Sequence, residues 1–212
     1  MKKIILAASI FSLCLSVMSF QFGDTTNDKD AVQYGTKLNW DDFKAKPDTN
    51  KKTLQAFSYI IYSYNHQITG DSVRVVVRNS FYRKYSWVKP NSKNTQQLNF
   101  QQGYFDISEI NARRMRKNIA TVPIYSQTAN KQIGAMYSQA IKDRAKEQGQ
   151  YQTETEYGKN KTKQAEWDKK NKDLLNSINL INPTAINPVP IPTPAAKRIG
   201  VKNLELAKKS WK

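Results

Sequence analysis

Two acidic side chains near the middle of the chain have a spacing that could support catalysis. Asp106 and Glu109 lie three residues apart in a segment whose pattern predicts a helix. A pair of carboxyl groups facing one substrate can cleave a glycosidic bond. The same spacing also lets the two acids cap the helix or form ion pairs with Arg113 and Arg116. We favour the capping or ion-pair interpretation of this pair.

Three hydroxyl side chains, those of Ser86, Ser108 and Thr155, are candidates for a nucleophile. Such a hydroxyl needs a positioned general base, most often a histidine. The chain has one histidine, His66, at the end of a predicted strand and beside a turn. It has no evident link to the three hydroxyls. We therefore interpret His66 as a surface residue rather than a base or a metal ligand.

The first 19 residues have the features of a secretory signal peptide. Lys2 and Lys3 precede an apolar run over residues 4–17, which a small residue, Ser19, follows. The only cysteine, Cys14, lies inside this segment, so the mature chain has neither a disulfide nor a thiolate nucleophile. Export together with the lack of disulfides favours a bacterial protein that is periplasmic, on the cell surface or secreted.

The chain is strongly basic, with a formal net charge of +17 at pH 7. A basic surface attracts anionic glycans, anionic lipids or acidic regions of an envelope protein or peptide. Solvated basic faces without a specific partner are the alternative. Export makes nucleic acid a poor candidate partner. We expect no cofactor and no bound metal, because the mature chain has one histidine, no cysteine and only scattered carboxylates.

The pattern of the chain predicts an α+β fold, with an antiparallel β-hairpin or sheet packed on about three helices. Strands are expected over residues 56–67 and 72–79, with Val73, Val75 and Val77 on the buried face of the second strand. Helices are expected over about residues 95–119, 129–148 and 161–178.

Composition divides the chain into five segments. They are a signal peptide over 1–19, a flexible lead-in over 20–36, a folded domain over 37–180, a Pro-rich linker over 181–200 and a basic tail helix over 201–212. Five prolines between residues 183 and 194 favour an extended polyproline-type linker over a core element. No transmembrane helix is expected after cleavage of the signal peptide.

Several short motifs occur in a fixed order over residues 37–175. They are Trp40 with Phe43, then Ser86-Trp87-Val88, then Gln102, Gly103, Phe105, Asp106 and Ile107 followed by Ala112-Arg113, and finally Tyr151, Thr155 and Gly158 followed by Gln164 and Trp167. In this order the motifs resemble those of a bacterial family of secreted proteins, a domain of unknown function whose members are predicted to be zinc-dependent proteases. The resemblance implies a zincin-like fold built around a His-Glu-x-x-His helix.

The chain departs from that family at the residues that would perform the chemistry. Phe100 and Tyr104 match the two helix histidines of the family, and Gln101 matches its glutamate. Tyr157 matches a late histidine, and Gln152 matches an aspartate of the same motif. Phenylalanine has no lone pair, glutamine is not a base and tyrosine is a rare zinc ligand. Since a catalytic zinc ion needs about three protein ligands and an open position, the resemblance implies a degenerate site.

Two arrangements of the degenerate site are open. Phe100, Tyr104 and Tyr157 could line an aromatic cleft in which Gln101 and Gln152 supply hydrogen bonds to a sugar, a peptide or a Pro-rich segment. The rings could instead fill the space that a metal and its water would occupy, and we favour this arrangement.

The function expected from the sequence is that of an exported, zinc-free pseudo-protease acting as a binding or structural module at the bacterial envelope. Two alternatives stay open. One is an active secreted zinc-dependent hydrolase with ligands that the motifs do not reveal. The other is a basic glycan- or lipid-binding envelope protein in which the degenerate site plays no part.

Overall fold

A computed structural model describes residues 28–69, 72–179 and 182–188. The predicted signal peptide, residues 1–19, and the predicted tail helix, residues 201–212, lie outside these ranges. The described residues form antiparallel sheets and three long helices, so the α+β class is confirmed. Within these ranges no helix is both long and apolar enough to cross a membrane.

The predicted hairpin forms the centre of the main sheet. Strands β3 (Ile60–Thr69) and β4 (Ser72–Tyr82) pair in antiparallel fashion along their whole length, with Ile60 opposite Phe81 at one end. The first predicted strand, residues 56–67, is divided: residues 56–57 form a separate strand, and β3 begins four residues later than predicted. At their far ends both β3 and β4 run two or three residues further than predicted, because aromatic and β-branched residues continue there.

Four short strands complete the sheets. Strands β1 (Ala31–Gln33) and β6 (Thr184–Pro188) pair with the side of β4 that β3 leaves open. Strands β2 (Ala56–Phe57) and β5 (Trp87–Val88) form a separate two-stranded sheet. The long strand β4 is therefore paired on both sides over much of its length.

Three long helices follow, close to their predicted bounds: α1 (Thr95–Thr121), α2 (Ala129–Glu154) and α3 (Lys161–Ser177). Asn94 caps α1 by accepting a hydrogen bond from the Gln97 backbone N–H at 2.9 Å. Asn160 caps α3 in the same way through the Lys163 N–H at 3.1 Å.

Helix α2 continues to Glu154 rather than ending at residue 148 as predicted. Gly149 lowers the local helix propensity. Tyr151, in the final turn, is fully buried and stacks on Phe100 of α1 at a centroid distance of 5.0 Å. Tertiary packing of that turn outweighs the local preference at the glycine.

The main core lies between the hairpin and the helices. Val73, Val75 and Val77 have no exposed surface and pack with Met115 and Ile119 of α1 in one cluster. The alternation of β4 is thus confirmed, since successive strand residues point to opposite faces. Helix α1 contacts the sheet and both other helices, so it is the central helix of the fold.

Two segments expected to be irregular contribute strands instead. Residues 31–33 lie in the expected flexible lead-in, yet they pair with β4 and bury Val32. Residues 184–188 lie in the expected Pro-rich linker, yet they form β6, in which Ala185 and Asn187 are buried. The prolines do not prevent this pairing, because Pro183 precedes the strand and Pro188 is its last residue. The Pro183 carbonyl accepts from the Val77 N–H at 2.8 Å.

Candidate functional site

Phe100 and Tyr104, two positions that the resemblance assigns to zinc ligands, lie in an aromatic stack between the three helices. Phe100 of α1 stacks on Tyr151 of α2 with 15° between the ring planes. Tyr104 meets Phe100 edge-on at 5.2 Å, and Trp167 of α3 meets Tyr151 edge-on at 5.4 Å. Such offset and T-shaped contacts are the favourable arrangements of aromatic rings.

The stack fills the position of the expected cleft. Phe100 is only 4% exposed, and Trp167 is equally buried. Tyr157 reaches the rim of the stack, 6.2 Å from Phe100 between ring centroids, but half of its surface is exposed. Phe100 and Tyr104 are therefore packed between the helices, whereas Tyr157 is exposed. Tyr157 differs from Phe100 because its backbone turns out of α2 at a positive φ of 58°.

Two glycines of the framework motifs leave room for the rings. A Cβ atom at Gly103 would overlap the hydroxyl of Tyr151. A Cβ atom at Gly158 would come within 2.7 Å of the Cβ atom of Phe100, and its φ of +84° also disfavours other residues. These glycines are therefore required by close packing on the stack.

Hydrogen bonds tie the stack to its surroundings. The Tyr151 hydroxyl donates to the Phe100 carbonyl at 3.1 Å and accepts from Gln164 Nε2 at 2.7 Å. The Trp167 indole donates to Glu154 Oε2 at 2.7 Å. Burial raises the pKa of both Tyr104 and Tyr151, so both phenols stay neutral and are poor metal ligands.

The two glutamines of the degenerate site do not line a cleft. Gln101 is buried, and its Oε1 accepts a hydrogen bond from Ser58 Oγ at 2.6 Å. Gln152 is half-buried on α2, and its backbone carbonyl accepts from the Tyr157 N–H at 3.0 Å. Gln101 therefore connects α1 to the segment before β3 instead of serving as a stand-in for a general base.

The early motifs have structural contacts. Trp40 packs on Phe43 at 5.0 Å, and Phe43 packs on Phe81 of β4 at 5.1 Å. Trp87 stacks on Phe57 of the neighbouring strand at 6.3 Å. The first two contacts hold the first loop against the main sheet, and the third joins the two strands of the small sheet.

The candidate nucleophiles are engaged in buried hydrogen bonds. Ser86 Oγ donates to the Tyr82 carbonyl at 2.8 Å, and Ser108 Oγ donates to Asn79 Oδ1 at 2.7 Å. Thr155 Oγ1 donates to the Tyr151 carbonyl at 2.6 Å. His66 contacts Asn130 at the start of α2 through Nε2 at 2.5 Å. The described contacts thus give none of the three hydroxyls a histidine partner.

Glu109 forms the ion pairs expected from the sequence. Its Oε1 accepts from Arg113 Nε at 3.0 Å and from Arg116 Nη1 at 2.9 Å, and all three side chains are buried. Arg113 also donates to the Leu175 carbonyl at the end of α3. The acid therefore helps to hold α1 against α3 and the sheet, while its second oxygen has no partner within the described residues.

Asp106 does not join that network, contrary to the ion-pair prediction. Its Oδ1 accepts from the Tyr34 hydroxyl at 2.9 Å and from Gln102 Nε2 at 2.8 Å. Gln102 is held in turn by the Leu38 backbone N–H, which donates to its Oε1 at 2.9 Å. Burial raises the pKa of Asp106, although both hydrogen bonds act against that shift.

Asp106 faces a polar groove of about 810 Å³ between residues 34–37, α1 and α3. We call this the α1–α3 groove. Lys37 lines it on one side, and Asp168 and Lys172 of α3 line it on the other. Gln164 Nε2 donates to Asp168 Oδ1 at 2.8 Å, and burial raises the pKa of Asp168. Gln164 connects a groove residue, Asp168, to the aromatic stack, since it also donates to the Tyr151 hydroxyl.

Three motif residues, Gln102, Asp106 and Arg113, line the groove, but its other lining residues belong to no motif. Tyr34 belongs to the expected lead-in, Lys37 is the first residue of the expected folded domain, and neither is part of a motif. Asp168 and Lys172 are four residues apart on the polar face of an amphipathic helix, a spacing that usually indicates only a solvated surface. Their nearness to Asp106 depends on how α3 packs on α1, which no local pattern encodes.

Over the described ranges, no three His, Cys, Asp or Glu side chains are grouped so that they could hold a metal ion. In comparisons with known proteins, no family model, no curated protein and no solved structure matches this chain. The resemblance to the predicted zinc-dependent proteases therefore depends on the motif residues alone and stays a prediction.

Proposed function

We propose that this protein is an exported, zinc-free pseudo-protease with a zincin-like fold, acting as a binding or structural module at the bacterial envelope. One observation carries the proposal. Phe100, at the position of the first expected metal ligand, is almost fully buried and stacked on Tyr151. A phenyl ring cannot bind a metal, and here it also fills the volume that a metal and its water would need.

The placement of the other two expected ligand positions supports the same proposal. Tyr104 lies one turn after Phe100 on α1, and Tyr157 lies next to Phe100 across the rim of the stack. Two positions on one helix and a third from a later segment are what a three-ligand zinc site requires. Their convergence favours the match to the family, and their side chains favour loss of the metal.

The role at the envelope is proposed from the sequence. An N-terminal segment of the signal-peptide type and a net charge of +17 suit an exported protein that meets anionic glycans, anionic lipids or an acidic partner protein. In this proposal the helices and sheet of the protease scaffold are kept as a rigid support, while binding takes place on surfaces away from the filled site.

Metal analysis tests the proposal. The protein would be purified without a polyhistidine tag or chelator, because such a tag binds zinc by itself. Mass spectrometry of the metal content should give less than about a tenth of an equivalent of zinc, since about three protein ligands are needed to retain the ion. A zinc peptidase purified in parallel is the control and should retain close to one equivalent.

Close to one equivalent of zinc in this protein would contradict the proposal. So would hydrolysis of an unstructured protein such as casein that a chelator abolishes and added zinc restores. Either result would favour the alternative of an active hydrolase with unrecognised ligands.

A further inference from the structure

We infer that the α1–α3 groove is a binding site for a neutral oligosaccharide. The inference deepens the proposed binding role and rests on it. It does not involve the aromatic stack, because Asp106 and Gln102 project from a different side of α1 than Phe100 and Tyr104 do, and they line the groove instead.

The first argument is that the groove has a hydrogen-bond acceptor, Asp106, whose orientation is fixed by the protein. Two hydrogen bonds from Tyr34 and Gln102 converge on Oδ1 of Asp106. No hydrogen bond from the described residues reaches Oδ2, and this oxygen is not enclosed by protein atoms. A carboxylate held in this way keeps one oxygen for a ligand while its orientation is fixed, as specific binding sites require.

The second argument is the balance of donors and acceptors in the groove. Asp106 and Asp168 supply acceptors, and the ammonium groups of Lys37 and Lys172 supply donors. The side-chain amides of Asn99 and Asn176 can both donate and accept. A hydroxyl group also donates and accepts, so a ligand with many hydroxyls can satisfy such a mixed lining.

The third argument is charge. The whole chain carries a formal charge of +17, but the groove combines two aspartates with two lysines. The remaining cation, Arg113, shares the single carboxylate of Glu109 with Arg116, at 3.0 and 2.9 Å. An anion would gain less here than elsewhere on the surface, because each lysine is offset by a nearby carboxyl group. The balance therefore favours a neutral ligand over a phosphate or a nucleic acid.

The volume is compatible with a short oligosaccharide. Ligand sites commonly have volumes of roughly 300–1,000 Å³, and the groove has about 810 Å³. Its apolar lining includes Leu175 and the half-buried Tyr34. The Tyr34 ring already contacts Phe105 at 5.1 Å and lies under the Arg113 guanidinium. Polar contacts rather than ring stacking should therefore dominate the affinity.

Calorimetric titration of the purified protein tests the inference. The probes are the tetramers of N-acetylglucosamine, of β-1,4-linked glucose and of α-1,4-linked glucose. At least one should bind at a single site with a Kd between about 10 μM and 1 mM. Affinity should change less than about twofold between about 0.05 and 0.5 M salt, because a neutral ligand is not subject to screening.

Three variants locate the site. Asp168→Asn changes an exposed side chain, and Asp106→Asn keeps the shape of a half-buried one. Each should weaken binding about tenfold, since a bond to a charged acceptor is lost. Asp173→Asn is the matched control on α3. Its side chain is 60% exposed, pairs with Lys169 and does not line the groove, so binding should be unchanged. Asp168→Asn keeps the test valid if Asp106→Asn does not fold.

Two results would overturn the inference. One is that none of the three tetramers binds, or that binding is the same in the Asp106→Asn and Asp168→Asn variants. The other is that only a polyanion such as heparin binds, with an affinity that falls steeply with salt. Both would leave the proposed loss of zinc intact, because the metal content is measured separately. Conversely, a full equivalent of zinc would contradict the proposed function without changing the titration.

Discussion

The ring of Phe100 lies parallel to the ring of Tyr151, with centroids 5.0 Å apart and 15° between the planes. The two residues come from α1 and α2, and Gly103 of α1 allows the Tyr151 hydroxyl to approach closely. A contact between aromatic side chains therefore joins these helices at the place where the resemblance would put a metal ion.

Replacing Phe100 by histidine should destabilise the protein by about 2–4 kcal/mol. The change removes part of a buried ring and places polar nitrogen atoms among aromatic neighbours. Urea unfolding followed by circular dichroism measures the free energy of unfolding. The control is Tyr157→His at the exposed rim, where the change should be within about 0.5 kcal/mol. Equal effects at the two positions would contradict the burial described for Phe100.

Replacing Gly103 by alanine should cost about 1–3 kcal/mol of stability, since the new methyl group would overlap the Tyr151 hydroxyl. Gly149 of α2 offers a matched control, because a Cβ atom there would meet nothing within 4 Å. Gly149→Ala should stabilise the protein by roughly 0.5–1 kcal/mol through its higher helix propensity. In thermal unfolding the melting temperature should fall for Gly103→Ala and rise for Gly149→Ala. A stabilising Gly103→Ala change would be incompatible with the observed stack.

Replacing Glu109 by glutamine should destabilise the protein by roughly 3–5 kcal/mol. The change leaves the buried guanidinium groups of Arg113 and Arg116 without their shared counter-charge. Glu166→Gln is the control, since Glu166 pairs with Lys163 on the surface of α3. There the expected loss is below about 0.5 kcal/mol. Chemical denaturation of both variants at neutral pH makes the comparison.

The raised pKa of Asp106 predicts a specific pH dependence. Its folded-state pKa lies above the ordinary value of 3.8, so between these two values the folded state binds more protons than the unfolded state. Stability should therefore fall as pH rises through this window. The Asp106→Asn variant should lack that contribution and gain relative stability with rising pH. The measurement is the difference in unfolding free energy between the two proteins at a series of pH values, with Asp173→Asn as a surface control.

Introducing the residues of the family that the motifs resemble should create a zinc site. The variant carries Phe100→His, Gln101→Glu, Tyr104→His and Tyr157→His, which places three imidazoles at the converging positions. We expect about one equivalent of bound zinc. The metal-free variant should be less stable than the parent, and added zinc should raise its melting temperature. A folded variant that binds no zinc would show that these positions do not correspond to the ligands of the family.

The helices and the hairpin could be predicted from the sequence because each has a strong local signal. Val73, Val75 and Val77 alternate, and Ile133 and Ala140 fall on one helical face, so periodicity alone indicates which side is buried. Residues 184–188 lack such a signal. Their proline-rich surroundings are typical of a linker. They form a strand because they pair with the side of β4 that β3 leaves open.

The candidate site, like the fold, has one part that could be predicted from the sequence and one that could not. The motif positions around Phe100 and Tyr104 predict that aromatic rings gather where a metal would bind. The groove depends on Tyr34 and Lys37 approaching α1, and on α3 presenting Asp168 to Asp106. These are contacts between segments far apart in the chain, and they follow from packing that no short pattern specifies.

Strand β6 has a consequence for the order in which the fold can be completed. It pairs with Ser72–Val76 of β4, although more than a hundred residues separate the two strands. Until β6 has been synthesised, that stretch of valine-rich backbone has an open edge, and open edges pair readily with other chains. Strand β6 thus covers this edge. A chain cut before Thr184 would leave the edge open and should associate with its own copies.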